Sequence, residues 1–135
     1  MGYRSEVTIL TSGETAKLEA FKQAMLLRYR NKNTLDLVKD CLGANEGDRF
    51  CDCEYWDNSG FAFYCSAFHD IKWYTEAQEW FDEYKELGDE AGISVEFMRV
   101  GEEPADVEHL HNETCDETGG CMLYTETTIR VSGRD

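Results

Sequence analysis

Apolar residues in this chain follow two periods that take turns. A period of two sets one side of a strand against a core, and a period of 3.6 sets one stripe of a helix against it. Glu6 to Thr11 alternates around Val7 and Ile9 and reads as a strand. Leu18, Phe21, Met25 and Tyr29 then recur at helical spacing, with Lys17, Lys22, Arg28 and Arg30 on the wet side. Asn31-Lys32-Asn33-Thr34 ends that helix. Thr34 is placed to cap a short helix over Leu35 to Leu42 that stops at Gly43. Arg49 to Tyr55 and Phe61 to Phe68 read as two strands about the turn signal Asp57-Asn58-Ser59-Gly60. Trp73, Ala77, Trp80, Phe81, Tyr84 and Leu87 mark a second long helix that ends near Gly88 or Gly92. Ile93 to Val100 alternates again. Pro104 to Leu110 reads as a short helix opened by proline. After a polar loop over His111 to Gly120, Met122 to Val131 reads as the last strand.

The order β-α-(α)-β-β-α-β-(α)-β contains the split β-α-β-β-α-β pattern. The expected fold is therefore an α+β, ferredoxin-like sandwich. Both long helices lie on one sheet face, and the C-terminal strand extends the sheet. At 135 residues the chain fits one domain over 1–135. Parity adds a constraint to the hairpin. Cys51, Cys53 and Tyr55 form the apolar side of its first strand, and Phe61, Phe63, Cys65 and Ala67 that of its second. Register follows the buried face, so aligning these two sides requires a loop of three or five residues, or a bulge.

Charge is segregated along the chain. Residues 1–49 carry eight basic and seven acidic side chains, a balance of +1; residues 50–135 carry five and twenty-one, a balance of −16. Such a field repels nucleic acid and anionic membrane and attracts basic protein surfaces. No apolar run approaches the roughly 18 residues that span a bilayer. The start, Met1-Gly2-Tyr3-Arg4-Ser5-Glu6, has neither a leader's apolar stretch nor the serine or threonine of a myristoylation motif, so a cytoplasmic protein is expected. The six cysteines are then expected as reduced thiols.

The second helix concentrates the acid: Glu76, Glu79, Asp82, Glu83, Glu86, Asp89 and Glu90 stand against one base, Lys85. Carboxylates four residues apart are separated by about 6 Å of helix axis, and phosphates along a DNA strand advance by about 3.4 Å each. The row thus imitates roughly every second phosphate, and it also suits a plain solvated face. Lys17, Lys22, Arg28, Arg30 and Lys32 make the first helix the expected opposite pole, suited to an acidic partner or to the acidic helix of a second copy. His109, His111, Cys115 and Cys121 place four candidate zinc ligands within thirteen residues, without the paired short spacing of a zinc knuckle. The same stretch also suits an ordinary polar loop or a Cys115–Cys121 disulfide. Cys51, Cys53 and Cys65 form a further thiol group whose parity favours core packing. The Cys/His neighbours Cys65–His69 and Cys115–His111 lack a legible oxyanion site, and Gly43 to Gly47 lacks the lysine of a phosphate loop. No catalytic residues and no enzyme are expected.

Met1-Gly2-Tyr3-Arg4-Ser5, Asp70-Ile71-Lys72-Trp73-Tyr74, Arg99-Val100-Gly101-Glu102 and Asp106-Val107-Glu108 together resemble a family of small acidic proteins of tailed bacteriophages and prophages. The resemblance carries over no site residues. It implies an accessory protein acting inside a bacterial host cell. Joined to the acidic helix, it leads to an expected inhibitor of a host restriction or CRISPR nuclease, a basic nucleic-acid-binding protein, with no direct binding of nucleic acid. The alternatives are a zinc- or thiol-dependent binding protein using residues 109–121, and a homo-oligomeric structural module.

Overall fold

A computed structural model describes residues 4–44, 51–73, 75–103, 105–117, 123–125 and 129–131. The elements are β1 (Ser5–Glu14), α1 (Thr15–Arg28), α2 (Leu35–Cys41), β2 (Cys51–Asn58), β3 (Phe61–Ile71), α3 (Thr75–Ala91), β4 (Ser94–Val100), β5 (Val107–His111), α4 (Glu113–Glu117), β6 (Leu123–Thr125) and β7 (Ile129–Val131). The fold is mixed α+β. A five-stranded antiparallel sheet runs in the order β2-β3-β1-β4-β5, and β6 and β7 pair separately.

Odd residues of β1 (Val7, Ile9) and of β4 (Val95, Phe97) join Leu18, Phe21 and Met25 of α1, Val38 and Cys41 of α2, and Trp80, Phe81 and Tyr84 of α3 in the main core. These three helices therefore cover one sheet face. A smaller cluster of Leu10, Cys65 and Met98, with Phe63 against it, lies on the other face. The hydroxyls of Thr11 and Tyr84 sit 2.6 Å apart within the core, linking sheet to helix.

α3 and α2 end where the sequence supplies glycine. Gly92 (φ 70) follows α3, with Ile93 N–H donating to the Gly88 carbonyl at 2.7 Å and Gly92 N–H to that of Asp89 at 3.2 Å, the two bonds of a Schellman end. Gly43 (φ 70) ends α2 likewise, with Ala44 N–H on the Lys39 carbonyl at 2.7 Å. Thr34 precedes α2 but makes no side-chain cap bond.

Several expectations are overturned. The β2–β3 loop has two residues, Ser59 and Gly60, between the paired Asn58 and Phe61. Both have positive φ (56° and 87°), as a type I′ turn requires. This register pairs Cys51 with Phe68, Cys53 with Ser66 and Tyr55 with Tyr64. The inner side of β3 is thus Ala62, Tyr64, Ser66 and Phe68, and Cys65 points away from Cys51 and Cys53. The irregularity lies elsewhere, between β1 and β3, where Ser5 pairs with Ile71 and Val7 with Phe68. Val107–His111 is a strand, where a helix over 104–110 is expected, and β5 rather than Met122–Val131 extends the sheet. Pro104 and Met122 lie outside the described residues. A strand fits here because pairing with the edge of β4 satisfies that edge, which a helix would leave open.

Candidate protein-interaction surface

α3 lies beside α1, antiparallel to it, and turns its apolar stripe (Ala77, Trp80, Phe81, Tyr84, Gly88) into the core. At 100° per residue, Glu76, Glu79, Glu83, Glu86 and Glu90 fall within an arc of about 80° along the flank nearer α1. Asp82 and Asp89 fall on the opposite flank.

The seven acidic residues do not share one environment. Glu83 accepts hydrogen bonds from the Tyr29 hydroxyl and from Arg28 Nε (3.3 Å). Those two donors, Tyr29 first, hold its carboxyl below the usual glutamate range. Burial, and then the adjacent carboxylate, push the Tyr29 hydroxyl up. Asp82 pairs with Lys85 at 3.6 Å. Asp89 accepts from the backbone N–H and hydroxyl of Thr114, both at 2.9 Å, and so holds the start of α4. Among the described residues, Glu76, Glu79, Glu86 and Glu90 make no hydrogen bond or ion pair, and all four are exposed. Axially they span about 21 Å.

The first helix is not an opposite pole. Arg28 is paired to Glu83, and Lys17 lies 3.8 Å from Glu14. α1 and α3 share one sheet face, so the charge segregated along the chain is brought side by side in space. Between these helices run two clefts. One, of ≈ 470 Å³, is lined by Lys17, Ala20, Phe21, Ala24, Met25 and Arg28 from α1 and Leu87, Glu90 and Ala91 from α3. The other, of ≈ 440 Å³, is polar and holds Tyr29, Lys32, Glu76, Glu79, Trp80 and Glu83 among its lining. Lys32 Nζ stands 4.8 Å from the Tyr29 ring centroid. Trp80 Nε1 is buried without a hydrogen-bond acceptor among the described residues.

The expected zinc ligands are distributed differently. His109 and His111 project from the same side of β5 with ring centroids 6.0 Å apart. His109 Nε2 lies 2.6 Å from Oε2 of Glu96, whose side chain is only 2% exposed. Cys115 is buried on α4, and its N–H donates to Asn112 Oδ1 at 2.9 Å. Cys121 lies outside the described residues. Among the described residues no three His, Cys, Asp or Glu side chains gather as a metal-holding group.

The thiol group also divides. Cys51 and Cys53 face the end of α2, where Cys51 Sγ lies 3.7 Å from the Asp40 carbonyl. Ser66 donates to the Cys41 carbonyl at 2.7 Å and sits 3.2 Å from Cys53 Sγ. Burial pushes the Cys41 thiol up to about 12 and raises that of Cys53. Raised thiols are poor nucleophiles and poor metal ligands.

Two groupings escaped sequence reasoning. Asn112, in the expected loop, donates from Nδ2 to the Ile93 (2.9 Å) and Lys85 (3.3 Å) carbonyls. Its Oδ1 accepts from Val95 N–H (3.1 Å) and Cys115 N–H, so it both caps α4 and ties α3 to β4. The second is Arg99. Its guanidinium grips Asp106 with both Nη atoms (2.6 and 3.1 Å), Glu108 with Nε (2.6 Å) and the Ser5 hydroxyl with Nη1 (2.9 Å). Residues of three separate motifs thus meet at one ion cluster, and a structural clamp explains their spacing.

No protein-family model matches the chain, and no curated protein matches it. Among the described residues no helix is long and apolar enough to cross a membrane.

Proposed function

We propose that the protein binds a basic, nucleic-acid-handling protein through the exposed flank of α3 and thereby keeps nucleic acid from it. One observation carries this reading: Glu76, Glu79, Glu86 and Glu90 form a line of exposed carboxylates that make no hydrogen bond or ion pair among the described residues. Like charges on one helix cost stability, about 0.2–0.5 kcal/mol per i,i+4 pair, and an external cation offsets that cost. The phage resemblance sets the context as the cytoplasm of a bacterial host, with a restriction or CRISPR nuclease as the target. We read the fold as ferredoxin-like. In support, α1 joins β1 to β2, α3 joins β3 to β4, and the β2–β3 hairpin lies between; α2 and the edge strand β5 are additions.

The test is DNA cleavage by purified restriction and CRISPR nucleases with the protein added in increasing amounts. Inhibition by the wild-type chain should weaken steeply with salt. It should be lost when Glu76, Glu79, Glu86 and Glu90 are all replaced by glutamine. Inhibition that survives those four substitutions would remove α3 as the site.

A further inference from the structure

One strip of the exposed side of α1 is apolar, set among the polar Lys17, Glu19, Gln23 and Arg28. Ala20, Ala24 and Leu27 recur at i, i+4 and i+7, all exposed, and Leu27 keeps 64% of its surface in water. This strip continues into the ≈ 470 Å³ cleft, whose walls are Phe21 and Met25 on one side and Leu87 and Ala91 on the other. Side chains no larger than alanine at 20, 24 and 91 leave the cleft open. Its rim is unequal in charge. The two cations on the α1 rim each have a carboxylate beside them, Glu14 at 3.8 Å from Lys17 and Glu83 at 3.3 Å from Arg28. On the α3 rim, Glu90 makes no ion pair among the described residues, and neither does Glu86, one turn back along α3 and outside the cleft lining. An apolar trough with a net acidic rim complements one class of ligand, a helix with an apolar face flanked by lysine or arginine.

We infer that the partner presents a basic amphipathic helix, whose apolar side chains enter the α1–α3 cleft beside Ala20 and Ala24 while its cations reach Glu86 and Glu90. This rests on the acidic-surface reading and sharpens it. Charge would steer the encounter, and the cleft would supply the short-range affinity and the register.

Three synthetic peptides of equal length separate the two contributions: a leucine/lysine amphipathic helix, a serine/lysine peptide of the same charge, and a leucine/glutamine helix without charge. Their affinities are measured for the wild-type chain, for Ala24→Gln, and for Glu86→Gln/Glu90→Gln. Ala24 is exposed on a helix and glutamine is a good helix former, so Ala24→Gln fills the cleft without breaking the fold, which a melting curve checks. The leucine/lysine peptide should bind the wild type roughly tenfold or more tightly than the serine/lysine peptide, the effect of burying about one large apolar side chain. Ala24→Gln should erase that margin and leave serine/lysine binding unchanged, and the double glutamine variant should weaken both charged peptides. Equal binding of the two charged peptides, or an Ala24→Gln variant that keeps the margin, overturns the cleft and leaves the acidic reading standing. Charged peptides that bind none of the three proteins, or that ignore Glu86→Gln/Glu90→Gln, overturn both. Light scattering adds one more outcome. A wild-type dimer that Ala24→Gln converts to monomer would mean a second copy fills the cleft, and the proposal fails.

Discussion

His69 sits between two carboxylates, with Nδ1 2.9 Å from Glu6 and Nε2 2.8 Å from Asp52, and so ties β3 to β1 and β2 on the outer sheet face. The Asp52 bond and then the Glu6 bond raise its pKa above the ordinary value of 6.5. A raised folded-state pKa means stability that is complete below about pH 6.5 and is lost as pH climbs through the folded value. The ring is 45% exposed, so screening limits the gain to about 1 kcal/mol or less. Melting temperatures of wild type and His69→Gln should differ at pH 5.5 and converge by pH 8.5; a gap that widens with pH would contradict the bridge. The thiols give a second residue-scale prediction. Maleimide at pH 8 should label Cys53 slowly and Cys41, Cys51 and Cys65 hardly at all in the folded state. Fast labelling of Cys41 would mean its burial is wrong. Asn112 gives a third. Asn112→Ala strands two N–H groups and two carbonyls, which at about 1–3 kcal/mol per buried unpaired group costs at least about 3 kcal/mol by urea denaturation. Nothing in His111-Asn112-Glu113-Thr114 signals that role, because its partners come from α3 and β4 and exist only once those elements meet.

Among the elements, α3 was the most legible: its apolar stripe has the helical period, and both its core face and its glycine end follow from that. Gly88 shows where the legibility stops. It reads as a candidate helix end, yet it lies inside α3, and a Cβ there would meet Val95 Cγ2 at 2.9 Å, Asn112 Nδ2 at 3.0 Å and the Ile93 carbonyl at 3.1 Å. The glycine lets β4 and Asn112 approach the helix. Gly88→Ala gains helix preference of about 1 kcal/mol, but one crowding atom is backbone and another belongs to a fixed hydrogen-bond hub. Overpacking of about 1–3 kcal/mol should therefore win. A lower denaturation midpoint for Gly88→Ala is expected, and a higher one would show that Asn112 has room to shift. At the hairpin the sequence pattern misleads for a related reason. Phe61 and Phe63 look like core residues, but the I′ turn at Ser59-Gly60 fixes a register that buries Tyr64 and Phe68 and leaves Phe61 47% exposed. Turn geometry outranked side-chain hydrophobicity. The strand at 107–111 was hidden because an edge strand takes its conformation from the strand it pairs with.

At the scale of the molecule, charge segregation along the chain does not become segregation in space. β1, from the near-neutral segment, runs between β3 and β4 from the acidic one, and α1 lies against α3. Periodicity tells which elements form but is silent on which become neighbours, so the expected two poles were not legible as the single mixed helical face that forms. On that face the four exposed glutamates repel one another and the remainder of a molecule of net charge −15. Replacing Glu76, Glu79, Glu86 and Glu90 with glutamine takes the charge from −15 to −11 and removes no hydrogen bond or ion pair among the described residues. The variant should therefore be more stable than wild type, by about 0.5–1 kcal/mol if two or three like-charge pairs are relieved. The gain is electrostatic, so urea denaturation should show it at about 10 mM salt, where the Debye length is about 30 Å, and should lose it near 1 M, where that length is about 3 Å. A variant less stable than wild type at low salt would mean that these carboxylates hold the fold together and are not free for a partner. A variant that is more stable but no longer inhibits a nuclease would separate the two roles, with a line of charge that opposes folding and acts only in binding.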